Sequence, residues 1–222
     1  MKKLAFIFLF IPLLIFSQKN FEYKIDFANI LKESQNKNSD LNYDNLLLRY
    51  NKADTTLSDK QMLALLISFT DNKFYHPYKD LDFGRNLYKL NDEGKFDQVI
   101  KEGSIFIKNH PFDLKTIFEL SYAHHKKGDQ TFAEDYLVKT RMIFKAMLFT
   151  GDGLSIDHPI LALNPSDGQD FIRKGLGREI GTMTSGRDKN GYFIDMLEMK
   201  DDDKSGMTLY FIIPHATKKM FE

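Results

Sequence analysis

The histidines are the side chains of this sequence best suited to metal binding, and their spacing does not support a metal site. They are His76, His110, His124, His125, His158 and His215. Two ligands on one helical face lie three or four residues apart, whereas His124 and His125 are adjacent and diverge by about 100° around a helix. The sequence also has no cysteine to complete a zinc site. We therefore expect no metal site and no cofactor.

The densest polar cluster runs from Gly151 to His158 and includes Asp152 and Asp157. An EF-hand loop requires acids at alternate positions and a distal glutamate, and this spacing lacks them. Two interpretations stay open. Asp152 either ends the preceding helix by bonding nearby amides, or Asp152 and His158 form a binding or catalytic site at a junction between two regions, where pockets often form.

Sequence motifs of catalysis and phosphate binding are missing. Ser185-Gly186 does not belong to a Gly-x-Ser-x-Gly nucleophile elbow. The glycine-rich stretch 175–186 lacks the spacing of a phosphate loop and its Lys-Ser/Thr pair. The sequence therefore favours a non-enzymatic interaction protein. A hydrolase or a small-ligand-binding protein with its site at the junction is the alternative.

Residues 1–17 have the pattern of a signal peptide. Lys2 and Lys3 precede an apolar run from Leu4 to Phe16, and Ser17 supplies a small residue at the expected cleavage point. The run is shorter than the roughly 20 residues that a membrane-spanning helix needs. We therefore expect export, with the periplasm as the default location and an extracellular one as the alternative, and no stable membrane anchor after cleavage.

The balance of charge excludes two classes of partner. The chain has 31 basic and 31 acidic residues, and loss of the predicted signal peptide would leave it slightly acidic. Nucleic-acid-binding domains and proteins held on anionic membranes carry basic clusters instead. We therefore expect neither partner. Without cysteine there are no disulfides, so stability must come from an apolar core.

Gly94 and Gly128 are 34 residues apart, which is the period of the tetratricopeptide repeat. Each glycine separates two apolar stretches of helical periodicity, and the four stretches are 80–91, 95–109, 113–127 and 130–149. At the same 34-residue spacing Val99 matches Ala133. The sequence predicts tetratricopeptide-like helical hairpins within residues 18–149, and an unrelated helical bundle is the alternative.

The repeat register predicts a binding groove, because the first helices of such units line a concave face. The groove residues would be Lys115, Phe118, Tyr122 and His125 of the second unit and Tyr88 of the first. Mixed aromatic and polar side chains suit a protein or peptide segment as partner. They do not form the Lys/Asn/Arg set with which some repeats clamp a C-terminal carboxylate. Alternatively, Phe118 and Tyr122 pack against the next layer of the structure.

Capping boxes predict where two helices begin. One is formed by Ser58 and Gln61, before an apolar run that reaches Phe69. The other is formed by Ser166 and Gln169, before a short helix.

After Met147 the apolar period shortens towards that of strands. Residues 150–222 predict a β-α-β-β-β region packed on the helices, with strands at 160–163, 179–184, 192–199 and 207–213. Asn190-Gly191 predicts a tight hairpin turn. The predicted fold is therefore α+β: antiparallel helical hairpins followed by a small antiparallel sheet with one short helix.

Two short motifs resemble a family of exported bacterial proteins that carry a domain of unknown function, number 4919. They are Asn109-His110-Pro111-Phe112-Asp113 and Gly151-Asp152-Gly153-Leu154, and the near-terminal Phe221-Glu222 is similar as well. The resemblance extends over most of the chain after the signal peptide. It implies export and this arrangement of regions. It implies no functional residues, because the family has no assigned activity.

Overall fold

A computed structural model describes residues 21–201 and 204–221. The predicted signal peptide lies outside these residues. In the described part, helices precede a small sheet, which confirms the predicted α+β class.

Three helices open the described chain and build the centre of the core. A π-helical turn, Tyr23–Phe27, leads into α1 (Ala28–Ser34), which is followed by α2 (Tyr43–Asn51) and α3 (Asp59–Phe69). The predicted capping box opens α3: Gln61 N–H donates to Ser58 Oγ, and Ser58 N–H donates to Gln61 Oε1. Buried residues surround most of α3, as expected for a helix enclosed by its neighbours.

Two helical hairpins follow, and their turns repeat with the 34-residue spacing. They are α4 (Leu81–Asp92) with α5 (Phe96–Phe106), and α6 (Leu114–Lys126) with α7 (Gln130–Leu148). Gly94 and Gly128 adopt φ of 73° and 81°, in the left-handed region where glycine is favoured. In both turns the glycine N–H donates to the carbonyl three residues back, and the next residue's N–H donates to the carbonyl five residues back. The two turns are therefore geometrically equivalent helix stops.

The sheet contains β1 (Ile160–Leu161), β2 (Ile180–Arg187), β3 (Phe193–Asp201) and β4 (Lys204–Ile212), in the order β1-β4-β3-β2. Strands β2, β3 and β4 pair antiparallel, as predicted. Strand β1 differs from the prediction, since it runs parallel to β4 and makes the sheet mixed. The long connection from β1 through the short helix and β2–β3 returns the chain in the direction that allows parallel pairing.

Two local predictions about this region need correction. The short helix α8 (Asp167–Asp170) continues into a π-helical turn, Phe171–Gly175, but Ser166 does not cap it. Ser166 Oγ instead donates to Asn164 Oδ1. The turn at Asn190-Gly191 is also longer than predicted, because Asp188 Oδ1 accepts from two backbone N–H groups there and only Gly191 has positive φ.

A final helix, α9 (Pro214–Lys218), and a 3₁₀ turn, Lys219–Phe221, close the described chain. The buried His215 joins α9 to distant segments: its Nε2 lies 2.8 Å from the Ala162 carbonyl and its Nδ1 3.2 Å from the Tyr23 hydroxyl. A carbonyl only accepts, so Nε2 carries the proton and Nδ1 accepts from Tyr23. Burial lowers the pKa of His215 to about 4.

One hydrophobic core unites the helices with the sheet. It extends from Ile30 through α3, α6 and α7 to β3, β4 and α9. A second, smaller cluster of buried residues lies within the two hairpins and consists of Leu87, Leu90, Val99 and Ala123. Val99 and Ala133, which occupy equivalent positions at the 34-residue spacing, are both buried.

We predict that Gly94→Ala and Gly128→Ala each lower the free energy of unfolding by about 1–2 kcal/mol, because a Cβ disfavours left-handed backbone. A Cβ at either position would meet no atom within 4 Å, so crowding adds nothing. Chemical denaturation measures the change. Gly94→Asn and Gly128→Asn are the controls and should cost less, since asparagine tolerates this conformation. Equal losses for alanine and asparagine would contradict this explanation.

Candidate functional site

A cavity of about 780 Å³ opens between α4, α6, α7 and the π-helical turn after α8. Four of the five predicted groove residues line it: Tyr88, Phe118, Tyr122 and His125. We refer to this cavity as the groove. Its volume is within the range of pockets that enclose a small ligand or a short stretch of peptide.

Two tyrosines give the groove an exposed aromatic surface. Tyr88 on α4 is 53% exposed and Tyr122 on α6 is 45% exposed. Each ring has a lysine ammonium nearby, with Lys115 Nζ 5.1 Å from the centroid of Tyr88 and Lys126 Nζ 5.2 Å from that of Tyr122. Cation–π attraction holds such rings in place while leaving ring surface open to a ligand.

Phe118 has a structural role as well as a place in the groove wall. Its ring centroid lies 5.9 Å from that of Phe144, and its half-buried side chain packs against the main core. This contact agrees with the alternative in which Phe118 packs against the next layer. The ring of Tyr122 meets that of Phe96 edge-on, at 6.2 Å between centroids. The exposed tyrosines are therefore better probes of binding than Phe118.

Lys115, the fifth predicted residue, lies beside the groove and not among the residues that line it. Its Nζ is 3.6 Å from Asp170 Oδ1, and its side chain packs over Gly84. A Cβ at Gly84 would come within 2.6 Å of Lys115 Cγ, so only glycine lets α4 and α6 approach this closely. Lys115 thus connects the groove edge to a buried carboxyl group.

The floor of the groove contains a buried amide–carboxylate pair, Asn91 and Glu119. Asn91 Nδ2 donates to Glu119 Oε2 at 2.8 Å and to the Glu119 carbonyl at 2.9 Å. Both side chains are almost fully buried. Because the pair joins α4 to α6, it fixes the spacing of the two helices that carry Tyr88 and Tyr122.

The sequence missed the far wall. It is formed by Arg173 and Lys174 in the turn after α8, by Gly177 just beyond that turn, and by Glu134 and Leu137 of α7. These groove residues lie outside the first helices of the predicted repeats. The repeat register therefore gave no signal for them, and only the packing of the turn against α7 brings them to the groove.

A cluster of buried and half-buried carboxyl groups lies next to the groove, between the start of α6 and α8. It comprises Asp113, Asp167 and Asp170, and we refer to it as the carboxyl cluster. Asp113 caps α6 by accepting from the Thr116 N–H, and Asp167 Oδ2 accepts from the N–H groups of Leu163 and Asn164. Asp167 Oδ1 and Asp170 Oδ2 are buried without a hydrogen-bond partner in the described structure.

Burial is the main cause of the raised pKa values in this cluster. It raises the pKa of Asp170 to about 6, although Lys115 opposes the rise. It also raises the pKa of Asp167 well above its usual value, and the neighbouring Asp113 and Asp170 carboxyl groups add to the increase. Three carboxyl groups this close and this buried favour protonation, because desolvation and mutual repulsion both disfavour the charged forms.

The predicted junction residues Asp152 and His158 are exposed in a surface loop. Asp152 Oδ1 accepts from the Leu154 N–H at 2.9 Å, which is the local amide bonding expected of a turn residue. His158 Nδ1 lies 3.5 Å from Ser155 Oγ, and the His158 carbonyl accepts from the Gly153 N–H. A functional site at Asp152 and His158 stays a prediction.

Both motifs behind the family resemblance have structural roles. In Gly151-Asp152-Gly153-Leu154, a Cβ at Gly151 would come within 2.4 Å of the His158 carbonyl oxygen, and Gly153 has a φ of 72°. In the other motif, the Pro111 carbonyl accepts from the buried Tyr50 hydroxyl, and Phe112 packs against Tyr50 with 5.0 Å between ring centroids. Both motifs therefore help to position loops.

In residues 21–201 and 204–221, no group of histidine, aspartate and glutamate side chains is arranged to hold a metal ion. Within the same residues, no helix has the length and apolar character needed to span a bilayer.

We predict that Asp170→Asn makes the protein about 1–3 kcal/mol more stable than the native form at pH 7.5 and nearly equal to it at pH 4. A folded-state pKa raised from 3.8 to about 6 means that this carboxyl favours folding below pH 4 and loses that contribution as the pH rises through 6. Asparagine carries no charge, so the variant avoids the loss.

Denaturant unfolding of both proteins from pH 4 to pH 8 gives the difference. Comparing the two proteins at the same pH cancels the contribution of His215 to stability. Because its pKa is lowered from 6.5 to about 4, that contribution increases between pH 4 and 6.5, opposite to the contribution of Asp170. Asp40→Asn, at an exposed carboxyl, is the control and should show no such pH dependence. A variant Asp170→Asn that is less stable than the native protein at pH 7.5 would contradict the interpretation.

Comparison with known proteins gives a family without an assigned function. The family described as Domain of unknown function (DUF4919) matches residues 28–221, which include the helices, the groove and the sheet. No curated protein and no solved structure matches the chain. The match extends over most of the sequence, so this protein belongs to the DUF4919 family.

Proposed function

We propose that this protein is a non-enzymatic interaction module whose groove holds an extended segment of a partner protein. The observation that carries the proposal is the exposed aromatic pair in the groove. Tyr88 and Tyr122 come from two different helices, remain about half exposed and line the same cavity. Aromatic side chains in a concave site supply large contact area at low entropic cost, and they are enriched among residues that dominate binding energy.

The rigidity of the surrounding helices supports the same proposal. Helices α4 and α6, which carry the two tyrosines, are fixed to one another by the Asn91–Glu119 pair and by the close contact at Gly84. A partner segment would therefore meet a preformed surface and lose little affinity to reorganisation of the groove.

The matched glycine turns support a tetratricopeptide-like arrangement of the two hairpins. In this arrangement the first helices, α4 and α6, present the aromatic side of the groove, and α7 contributes to its far wall. Two such units are fewer than a free-standing solenoid needs. The helices before them and the sheet after them would act as the caps.

The signal-peptide pattern of residues 1–17 supports export, with the periplasm as the proposed location. The partner would accordingly be another exported protein or a peptide in the same compartment.

We predict that Tyr88→Ala/Tyr122→Ala reduces recovery of the crosslinked partner about tenfold or more, because each exposed aromatic anchor contributes on the order of 1 kcal/mol or more to such contacts. The tagged protein is crosslinked in its native cells, and mass spectrometry identifies and quantifies the captured protein. The double variant should remain folded, since both rings are substantially exposed.

Leu48→Ala/Ile105→Ala is the matched control, because both side chains are large, apolar and more than 60% exposed, at 64% and 61%, and neither lines the groove. It should capture the partner as well as the native protein does. Equal capture by the groove variant, or equal loss in the control, would contradict the proposal.

A further inference from the structure

We infer that the segment held in the groove is acidic, with two carboxylate side chains about four residues apart. The inference rests on the proposed function, because it concerns the occupant of the same groove. It comes from the charges in the groove wall that other side chains leave unpaired.

The positive charges of the groove are available to a ligand. Arg173 and Lys174 are exposed in the wall after α8, and within the described residues neither side chain forms a salt bridge or a hydrogen bond. Lys126, at the end of α6, contacts only the Tyr122 ring in the same part of the structure. Lys174 is near enough to Asp170 to lower the pKa of that carboxyl but does not approach within salt-bridge distance.

Two of the three carboxylates that line the groove have a partner in the protein, an ion pair in one case and a hydrogen bond in the other. Glu134 Oε1 is 2.6 Å from Arg141 Nη2, and Glu119 is buried against Asn91. Asp92 is exposed and without an ion pair within the described residues. Within the described residues, three exposed cations without an ion pair therefore face one exposed anion without one and the buried Glu119 carboxylate, although the whole chain has equal numbers of basic and acidic residues. This local excess is complementary to an acidic segment.

The positions of the cations set the spacing of the acidic side chains. The wall with Arg173 and Lys174 adjoins Phe118, because the turn packs on Phe144 and Phe144 packs on Phe118. Lys126 lies eight residues beyond Phe118 on α6, which corresponds to about 12 Å along the helix. An extended peptide rises about 3.3 Å per residue, so about four residues span the two positive sites. Tyr88 and Tyr122 would contact the residues between them.

Selection from a phage-displayed library of random dodecapeptides on the purified protein tests the inference. We expect groove-dependent peptides enriched in aspartate and glutamate, at pairs of positions three to five residues apart. Groove dependence is defined by loss of binding to the Tyr88→Ala/Tyr122→Ala variant. The affinity of a synthetic copy of the best peptide is then measured by fluorescence anisotropy at low and high salt.

Arg173→Glu/Lys174→Glu should weaken that peptide about tenfold or more, and selection on this variant should lose the acidic enrichment. Arg173→Gln/Lys174→Gln gives a milder test if the charge reversal disturbs folding, and it should weaken the peptide several-fold. Lys101→Glu/Lys108→Glu is the control, with the same change of charge at exposed lysines outside the groove, and it should bind like the native protein.

The two proposals fail in different ways. Groove-dependent peptides that are neutral or basic, or whose affinity is unchanged by both Arg173/Lys174 variants, would overturn the acidic segment and leave the groove as a peptide site. A selection that yields no groove-dependent peptide would overturn both the proposed function and this inference.

Discussion

Helix α6 is packed on several sides, and the rest of the structure depends on its position. One part of its surface is completely buried, with Leu114, Ile117 and Leu120 inaccessible to solvent. Asn91 and Gly84 of α4 determine how closely α4 approaches it, and Gly103 of α5 allows Leu120 to come near. Because the adjacent side of α6 carries Phe118 and Tyr122, the same packing that builds the core also determines the shape of the groove.

The carboxyl cluster shows a cost of this arrangement. Asp113 is needed as the cap of α6, and Asp167 holds the backbone after β1. Docking α8 against the start of α6 brings these carboxyl groups together with Asp170 in a buried place where ionisation is unfavourable. Lys115 partly compensates, since it lies between Asp170 and the Tyr88 ring. The edge of the groove is therefore electrostatically connected to the interior.

The sequence predicted the parts of this structure that local patterns determine. The 34-residue spacing located both helical hairpins, and the Ser58–Gln61 box located the start of α3, because turns and caps are specified by adjacent residues. It did not predict the parallel pairing of β1 with β4, which depends on a long connection and not on any local pattern. For the same reason it identified Tyr88, Phe118, Tyr122 and His125 of the groove but missed Arg173 and Lys174, which reach it only through tertiary packing.

Site-specific photocrosslinking in the native cells tests whether the groove is the binding surface. A benzophenone amino acid is placed at position 122 in the groove or at position 105 on the exposed surface of α5, and the crosslinked peptides are sequenced. We expect adducts from position 122 that fall within one short segment of one partner protein, and no such adducts from position 105. The same partner segment captured from both positions, or scattered adducts from position 122, would contradict it.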